Sequence, residues 1–331
     1  MFPKSFHIKP ILGLLPYIIG IVALGLIPPL TGSTYLAYLV GLAIVLAIFA
    51  MGFNLLFGYT GLLSFGHAAY FGAGCYAFAM LMKYYHIQSF ELLFLGSVII
   101  ATLTAAVIGY VCVRYIKIYF SLLTLAFGQV EYALVVKLYN ITGGTDGIRV
   151  MMPTLLGFTF KDKGFFVTWP FYYYILAIFT ICVIILWVIL NSHFGKILQA
   201  IRDNDVRVNF LGVSERRYKW YAFILSGVFC GVAGALFAPL NGHIGPEHVY
   251  WGFSATPLFI ALIGGHRVFL GPIIGSFIYV LVRHYVTAFT IYWELFFGAI
   301  VILFTLLFPY GVCGGISLWL ARRMKSAKTS L

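Results

Sequence analysis

Positions 191–221 read NSHFGKILQAIRDNDVRVNFLGVSERRYKWY, and this stretch gathers charge in a chain that has little of it elsewhere. Its charged residues are Lys196, Arg202, Asp203, Asp205, Arg207, Glu215, Arg216, Arg217 and Lys219. Apolar residues at 197–201 and 206–211 predict two short amphipathic helices. Gly212 suits a left-handed helix stop, and Ser214 suits the cap of the next helix. The stretch therefore predicts two short helices that lead into a long one.

The composition around this stretch is that of a membrane protein. The chain has 331 residues, of which 62% are hydrophobic and 9% charged, and its mean hydropathy is +1.01. A soluble core cannot hold so much apolar sequence, so we predict an all-α, polytopic integral membrane protein. The net charge of +12 does not indicate nucleic-acid binding, because the basic residues lie between apolar runs and at the tail.

About ten apolar segments follow one another along the chain. Most approach the ~20 residues that a membrane-spanning helix needs, and two near the end are shorter. The predicted segments are Ile11–Ile27, Tyr35–Phe57, Leu62–Met82, Glu91–Val113, Tyr119–Leu138, Pro170–Leu190, Trp220–Leu240, Ser254–Gly265, Gly271–Val286 and Tyr292–Phe308. The two short pieces, Ser254–Gly265 and Gly271–Val286, are expected to be two crossings or a short re-entrant pair.

The distribution of Lys and Arg predicts the orientation. With the N-terminus inside, 15 of the 21 basic residues fall on the cytoplasmic side. The six on the outer side are Lys83, Lys137, Arg149, Lys161, Lys163 and Arg283. Cytoplasmic loops carry an excess of Lys and Arg, so both termini are predicted to be cytoplasmic in a multi-pass protein of the cell inner membrane.

Positions 52–81 read GFNLLFGYTGLLSFGHAAYFGAGCYAFAML and mix glycine with polar residues at membrane depth. Glycines at 58, 61, 66, 72 and 74 predict an interrupted helix, whose freed backbone groups must be buried in protein or face a water-filled cavity. Asn54, Ser64 and His67 are candidates for a translocation path. Small residues also serve close helix packing, and Ser64 and His67 could be plain interhelical hydrogen bonders.

The next span adds two polar candidates. Gln129 and Glu131 lie well inside the helix that starts near Tyr119, and a carboxyl at that depth must be paired, hydrated or protonated. We assign both to the predicted translocation path. The five cysteines are scattered without a CxxC pair, and the histidines show no ligand spacing, so neither a metal site nor a cofactor is predicted.

Four blocks of this sequence resemble the LivM-type permeases of branched-chain amino-acid ABC transporters. They are GKILQAIRDNDVRVNFLGVSERRYKWYAFILSGVFCGVAGAL, GYTGLLSFGHAAYFGAGCY, RYIKIYFSLLTLAFGQVEYALVVKLYNITGGTDGIRVMMP and APLNGHIGPEHVYWGFSATPLFIALIGGHRVFLGPIIGS. The resemblance implies a single transmembrane permease domain over 1–331 with the ABC-importer permease fold. His266 and Arg267 stand where family members usually have a glycine-serine turn.

The resemblance also implies partners and a role for the 191–214 segment. The partners would be a sister permease, two cytoplasmic ATP-binding subunits, an extracytoplasmic solute-binding protein and a branched-chain amino acid or related small polar solute. Segment 191–214 would be the cytoplasmic coupling loop that docks on an ATPase. Its expected coupling residues are Gly195, Ala200, Ile201, Arg202, Arg207, Leu211 and Gly212. No GxxxxGK[ST] motif is present, so ATP hydrolysis is assigned to the partner subunits and the chain is predicted not to be an enzyme.

Other functions stay open at this point. Urea and short amides are alternative substrates within the same fold. An ion-coupled secondary transporter would also have interrupted helices, and Glu131, Glu294 and His67 would be its candidate ion-coupling residues. The basic loop could also serve only to fix the topology. The amphipathic loop favours the ABC permease, because a secondary transporter has no ATPase to dock.

Overall fold

The computed structural model describes residues 15–115, 117–289, 292–308 and 311–315. Helices make up almost all of its regular structure, which confirms the predicted all-α class. They are α1 (Leu15–Gly25), α2 (Ile27–Thr31), α3 (Thr34–Asn54), α4 (His67–Tyr85), α5 (Phe90–Cys112), α6 (Lys117–Lys137), α7 (Tyr139–Thr142), α8 (Lys163–Thr168), α9 (Pro170–Asn191), α10 (His193–Asp203), α11 (Asp205–Phe210), α12 (Glu215–Asn241), α13 (Ala255–Gly264), α14 (Gly271–Phe289) and α15 (Trp293–Leu307). Two short strands, β1 (Ile148–Arg149) and β2 (His243–Ile244), pair antiparallel.

Seven helical segments within the described ranges are long and apolar enough to cross a membrane. They are Thr34–Thr60, Phe90–Cys112, Lys117–Lys137, Lys163–Asn191, Glu215–Asn241, Gly271–Phe289 and a segment that begins at Leu295. The predicted count of about ten is not confirmed. Helix α4 is not among the seven, and the apolar helices Gly20–Thr31 and Trp251–Gly264 are shorter. The beginning of the predicted first span and the basic tail from 316 onward lie outside the described residues.

The predicted interruption between the second and third spans is present, but its position differs. Helix α3 continues without a gap into a π-helix, Leu55–Thr60, which we call the π segment. Gly61 ends it with a φ of 78°, a left-handed conformation that glycine adopts without strain. Residues 61–66 are irregular, so the third span begins at His67 and not at Leu62 as predicted. Glycine and polar residues at this point favour local backbone bonds over a continuous helix.

Helix α12 lies at the centre of the packing against α3, α4 and α5. It is the most deeply buried of the membrane-length helices, with 83% of its apolar window inside the protein. Small residues permit the close contact: a Cβ added to Gly227 would overlap Ala105, and one added to Gly234 would overlap the Phe71 carbonyl. Close backbone approach through small residues is the usual way in which membrane helices pack.

The short apolar pieces near the C-terminus form a tight pair. Helix α13 has ten residues and is therefore about 15 Å long, half of the ~30 Å hydrocarbon core. It packs along α14 with Gly264 against the Gly271 carbonyl and Gly275 against the Ile260 carbonyl. The sequence left open whether these pieces were two full crossings or a short pair. The structure shows one short helix packed on one of membrane length.

The two ends of the bundle have different constructions. The basic end, as we name it, carries the 191–214 loop and the 265–270 turn, both of which reach the π segment. The opposite end carries 86–89, 139–168 and 242–253. There β1 and β2 join two of these loops, and the Thr154 N–H donates to the Gln88 carbonyl at 2.8 Å. The loops of the opposite end are thus tied to one another and not only to their own helices.

Candidate functional site

The 191–214 loop is anchored to the bundle by one face of α10. Leu198 and Ile201 are buried, and Gly195 lies so close to the end of α9 that an added Cβ would overlap the Leu190 carbonyl. Arg202 extends from the same face, and its Nη1 donates to the Gly58 carbonyl oxygen at 2.8 Å. Its Nε and Nη2 both donate to Asp203 Oδ1 at 3.2 Å. Helix α10 therefore contacts the π segment directly.

The 265–270 turn meets the π segment from another side. Asn54 Nδ2 donates to the His266 carbonyl at 3.0 Å, and the His266 ring packs on Phe57 with centroids 5.2 Å apart. Burial lowers the pKa of His266, and the charges of Arg267 and Arg202 lower it further. A Cβ on Gly58 would overlap both the His266 carbonyl and Asn54 Oδ1. We call this meeting of α10, the π segment and the turn the junction.

Helix α11 is held by a charged cluster that the sequence did not reveal. Lys219 on α12 is 5% exposed, and its Nζ lies 2.6 Å from Glu215 Oε2 and 3.4 Å from Asp205 Oδ2. Asn204 caps α11 by accepting from the Arg207 N–H at 3.0 Å. Opposite-charge spacing at 215 and 219 was the available signal, but nothing in the sequence places Asp205 beside them.

The start of α12 corrects one prediction and confirms another. Ser214 stands at the N-cap position, but its side chain makes no capping hydrogen bond. Asn209 Oδ1 instead accepts from the Glu215 N–H at 3.4 Å, because the left-handed turn at Gly212 brings α11 back toward α12. The φ of 80° at Gly212 confirms the predicted helix stop.

The far side of the loop carries apolar residues that are largely exposed. Val206, Phe210 and Leu211 are 58%, 86% and 81% exposed. Ala200 and Arg207 are exposed as well. The seven predicted coupling residues are therefore divided between two sides of the loop. Gly195, Ile201 and Arg202 lie against the bundle, whereas Ala200, Arg207, Leu211 and Gly212 lie on the exposed side.

The predicted path residues near the π segment are buried within helix packing. Ser64 Oγ accepts from the Gly66 N–H at 3.3 Å. His67 Nε2 is 2.8 Å from Ser226 Oγ, which donates to the Gly52 carbonyl at 2.7 Å. Since that hydroxyl proton is used on Gly52, the hydrogen-bond network assigns the proton to His67 Nε2. This chain of bonds joins α4, α12 and α3.

Gln129 and Glu131 lie on α6, and both are half-buried. Glu131 Oε2 is shielded from solvent and has no hydrogen-bond partner among the described residues. Asn54, Ser64 and His67 thus surround the π segment and the break after it. Gln129 and Glu131 lie on α6, which meets that break where the Phe65 N–H donates to Thr124 Oγ1 at 3.2 Å.

A cavity of about 560 Å³ opens at the opposite end, between α3, α12, α13, α14 and α15. None of the five predicted path residues lines it. Its polar lining residues are Tyr38, Asn241, Glu247, His248, Tyr250, Thr256, Tyr279 and Arg283, and its apolar ones include Leu42, Leu46, Phe253 and Phe259. From the sequence, Arg283 was used only to predict the orientation in the membrane. An arginine inside an apolar helix was the signal that could have identified it as a site residue.

His248 lies on the wall of this cavity beside two charged residues. Burial lowers its pKa, the Glu247 carboxylate raises it, and the Arg283 guanidinium lowers it again. Its Nδ1 lies 3.2 Å from the Gly245 carbonyl and 3.3 Å from Glu247 Oε1. The cavity therefore has an acidic and a basic side chain within electrostatic reach of one imidazole. No group of three or more His, Cys, Asp or Glu residues suited to a metal occurs in the described part of the chain.

Comparison with known proteins identifies the family. The family model for the permease component of branched-chain amino acid transport systems matches residues 35–306. The chain is 27% identical to the high-affinity branched-chain amino acid transport system permease protein LivM of Escherichia coli (strain K12), over 89% of this chain and 74% of that protein. It is 28% identical to the protein of the same description from Salmonella typhimurium, over 82% and 68% of the two chains.

A more distant relative has a similar description. The probable branched-chain amino acid transport permease protein LivM of Methanocaldococcus jannaschii is 24% identical over 71% of this chain and 76% of its own. No solved structure matches the chain. The relatives are transport permeases and not enzymes. They confirm the predicted resemblance to this permease family and the prediction that the chain is not an enzyme. The chain belongs to the family of permease components of branched-chain amino acid transport systems.

Proposed function

We propose that this chain is the transmembrane subunit of an ATP-driven ABC importer that moves a branched-chain amino acid across the cell inner membrane. A sister permease, two cytoplasmic ATP-binding subunits and an extracytoplasmic solute-binding protein complete the assembly. The proposal rests on family membership and on the names of the relatives. The Lys and Arg distribution supports cytoplasmic termini and places the 191–214 loop on the ATPase side.

The two-sided 191–214 loop is the observation that carries the proposal. One side is fixed to the bundle through Leu198, Ile201 and Arg202. The other presents Val206, Phe210 and Leu211 to solvent, although an apolar surface of this kind is stable only against a partner. A short amphipathic helix in a groove of the ATPase is the recognition mode that fits. Docking would use Ala200, Arg207, Leu211 and the Gly212 turn.

The junction connects the proposed docking loop to the membrane helices. A displacement of α10 acts on the Gly58 carbonyl through Arg202, and the π segment connects in turn to Asn54 and to the 265–270 turn. A π-helix is a common point of rearrangement within a longer helix. We place the gate of the translocation path at the break beside Asn54, Ser64 and His67. Gln129 and Glu131 would border the path along α6, where one oxygen of Glu131 has no hydrogen-bond partner among the described residues.

Reconstitution of the five components in proteoliposomes tests the proposal. Leucine uptake is expected to require ATP on the side that carries the 191–214 loop, together with the binding protein on the other side. Uptake driven by an ion gradient without ATP would support a secondary transporter. ATP-dependent uptake of urea or acetamide, with leucine unable to compete, would support the alternative substrate class.

A further inference from the structure

The cavity at the opposite end holds a charge where a membrane helix ordinarily has none. Arg283 is the only Lys, Arg, Asp or Glu in α14, and it stands 12 residues beyond Gly271, about 18 Å along the helix. A charged side chain inside a membrane-length helix is costly, and it persists where it faces water, a counter-charge or a ligand. Arg283 is half-buried and lines the cavity. Its guanidinium has five N–H donors in a planar fork, so it can hold a carboxylate in addition to a protein partner.

A second charged side chain of opposite sign reaches the same cavity from a loop. Glu247 lies in the short 3-10 helix Pro246–His248 and is exposed at the cavity rim. Asn241 at the end of α12 adds an amide, and its Nδ2 donates to the His243 carbonyl at 2.7 Å. Cation and anion thus come from different elements, α14 and the 242–253 loop, with the cavity space between those elements.

The remaining wall is apolar and aromatic. Leu42 and Leu46 come from α3, Phe253 and Phe259 from the α13 region, and Phe297 from α15. The volume of about 560 Å³ lies within the 300–1,000 Å³ typical of small-molecule sites. One basic group, one acidic group and an aliphatic and aromatic wall match the three parts of an amino-acid zwitterion with an apolar side chain. Urea and acetamide carry no charges, and neither has an apolar portion larger than a methyl group.

We propose that this cavity is a low-affinity binding site for a free amino acid with an apolar side chain. Arg283 binds the α-carboxylate, Glu247 binds the α-ammonium group, and Leu42, Leu46 and Phe259 contact the side chain. The assignment rests on the proposed function for its place in transport, but the recognition chemistry is a property of this chain alone. The cavity opens at the opposite end, so a solute released there by a binding protein would reach it before the π segment.

Cysteine protection measures occupancy without any partner subunit. Thr256→Cys places a thiol in the cavity wall, and the five native cysteines are replaced by alanine, because Thr256 is as buried as they are. The full chain in lipid nanodiscs is labelled with a membrane-impermeant maleimide in increasing concentrations of L-leucine, L-leucinamide or 4-methylpentanoate. L-Leucinamide lacks the carboxylate, and 4-methylpentanoate lacks the ammonium group. Leucine is expected to slow labelling. Each analogue should need an about tenfold higher concentration for the same protection, because it lacks one charge-assisted hydrogen bond.

Variants assign each charge to its part of the ligand. Arg283→Gln should weaken protection by leucine about tenfold and leave protection by leucinamide unchanged. Glu247→Gln should weaken protection by leucine and leave protection by 4-methylpentanoate unchanged. The matched controls are Arg149→Gln and Asp146→Asn, which remove exposed charges at the same end outside the cavity. Both should protect as the parent does, and Arg283→Lys should retain part of the preference for leucine over leucinamide.

Several results would overturn the assignment. Equal protection by leucine and by the two analogues in the parent chain would overturn it, and this comparison needs no charge variant. Equal weakening of protection by leucine and by leucinamide in Arg283→Gln would overturn it as well, because it indicates a structural role. If Arg283→Gln does not fold, Glu247→Gln decides, because its side chain is exposed. ATP-dependent leucine uptake by the assembled importer without protection at Thr256→Cys would contradict the cavity site alone. Protection without uptake would contradict the proposed function alone.

Discussion

Arg202 on α10 donates to the carbonyl oxygen of Gly58 in the π segment, with Nη1 and O 2.8 Å apart. This hydrogen bond joins the loop proposed to dock on the ATPase to the backbone of a membrane-length helix. The bond is charge-assisted, and its geometry is fixed on the other side by the pairing of Arg202 with Asp203. The loop is thus joined directly to the π segment that precedes the break.

Removal of this bond should uncouple the loop from the membrane helices. Arg202→Ala should reduce ATP-driven leucine uptake severalfold and lower the free energy of unfolding by about 1–2 kcal/mol, because the guanidinium is three-quarters buried. ATPase subunits should still co-purify, since the exposed residues of α11 are unchanged. Arg216→Ala, which removes an exposed charge from α12, is the control. Normal uptake by Arg202→Ala would contradict the proposed transmission.

A side chain on Gly58 should disturb the junction more directly. Gly58→Ala forces a Cβ onto the His266 carbonyl and Asn54 Oδ1, and these two groups are held in place by the hydrogen bond from Asn54 Nδ2 to the His266 carbonyl. We expect a loss of about 1–3 kcal/mol in the free energy of unfolding, measured as a lower thermal midpoint in detergent. No atom of the described residues lies within 4 Å of a Cβ added to Gly20, so Gly20→Ala should leave the midpoint unchanged. Equal thermal midpoints for the two variants would show that the π segment accommodates the added Cβ without a loss of stability.

The two faces of α10 can be separated by introducing the same charge at adjacent residues. Ala200→Glu places a carboxylate on the exposed face, so the permease should fold but fail to retain the ATPases, with about 1–3 kcal/mol of docking energy lost if a partner covers that face. Ile201→Glu places it at a residue only 3% exposed, so the fold itself should be destabilised. Co-purification and thermal midpoints measured on both variants distinguish the effects. Retention of the ATPases by Ala200→Glu would argue against this docking face.

Lys219 should hold α11 against α12. Lys219→Met keeps the aliphatic stem but leaves Asp205 and Glu215 as two carboxylates without their shared cation. Amide hydrogen exchange in 204–211 is expected to increase severalfold, corresponding to about 1–2 kcal/mol of local stability. Lys196→Met, at an exposed position of α10, is the matched control. Unchanged exchange in Lys219→Met would show that the cap at Asn204 alone maintains α11.

The sequence alone was sufficient for the class, the family and the main helices. Apolar runs of about 20 residues have few alternatives to a membrane helix, because each backbone group must be hydrogen-bonded within its own segment. The two short helices at 193–203 and 205–210 were predictable for a similar reason, since their apolar spacing and the glycine stop at 212 are local. The glycines after Asn54 likewise predicted an interruption of the helix.

Tertiary structure decided which residues meet. Arg202 and Gly58 are 144 positions apart, and Asn54 and His266 are 212 apart, so no local pattern could pair them. The same holds for the cavity, whose lining comes from five helices and a loop. Burial of Ile201 beside exposed Ala200 depends on where α10 lies against the bundle, and the exposure of Phe210 depends on the turn that follows it. Sequence periodicity marks an apolar face, but only packing between distant segments determines what that face contacts.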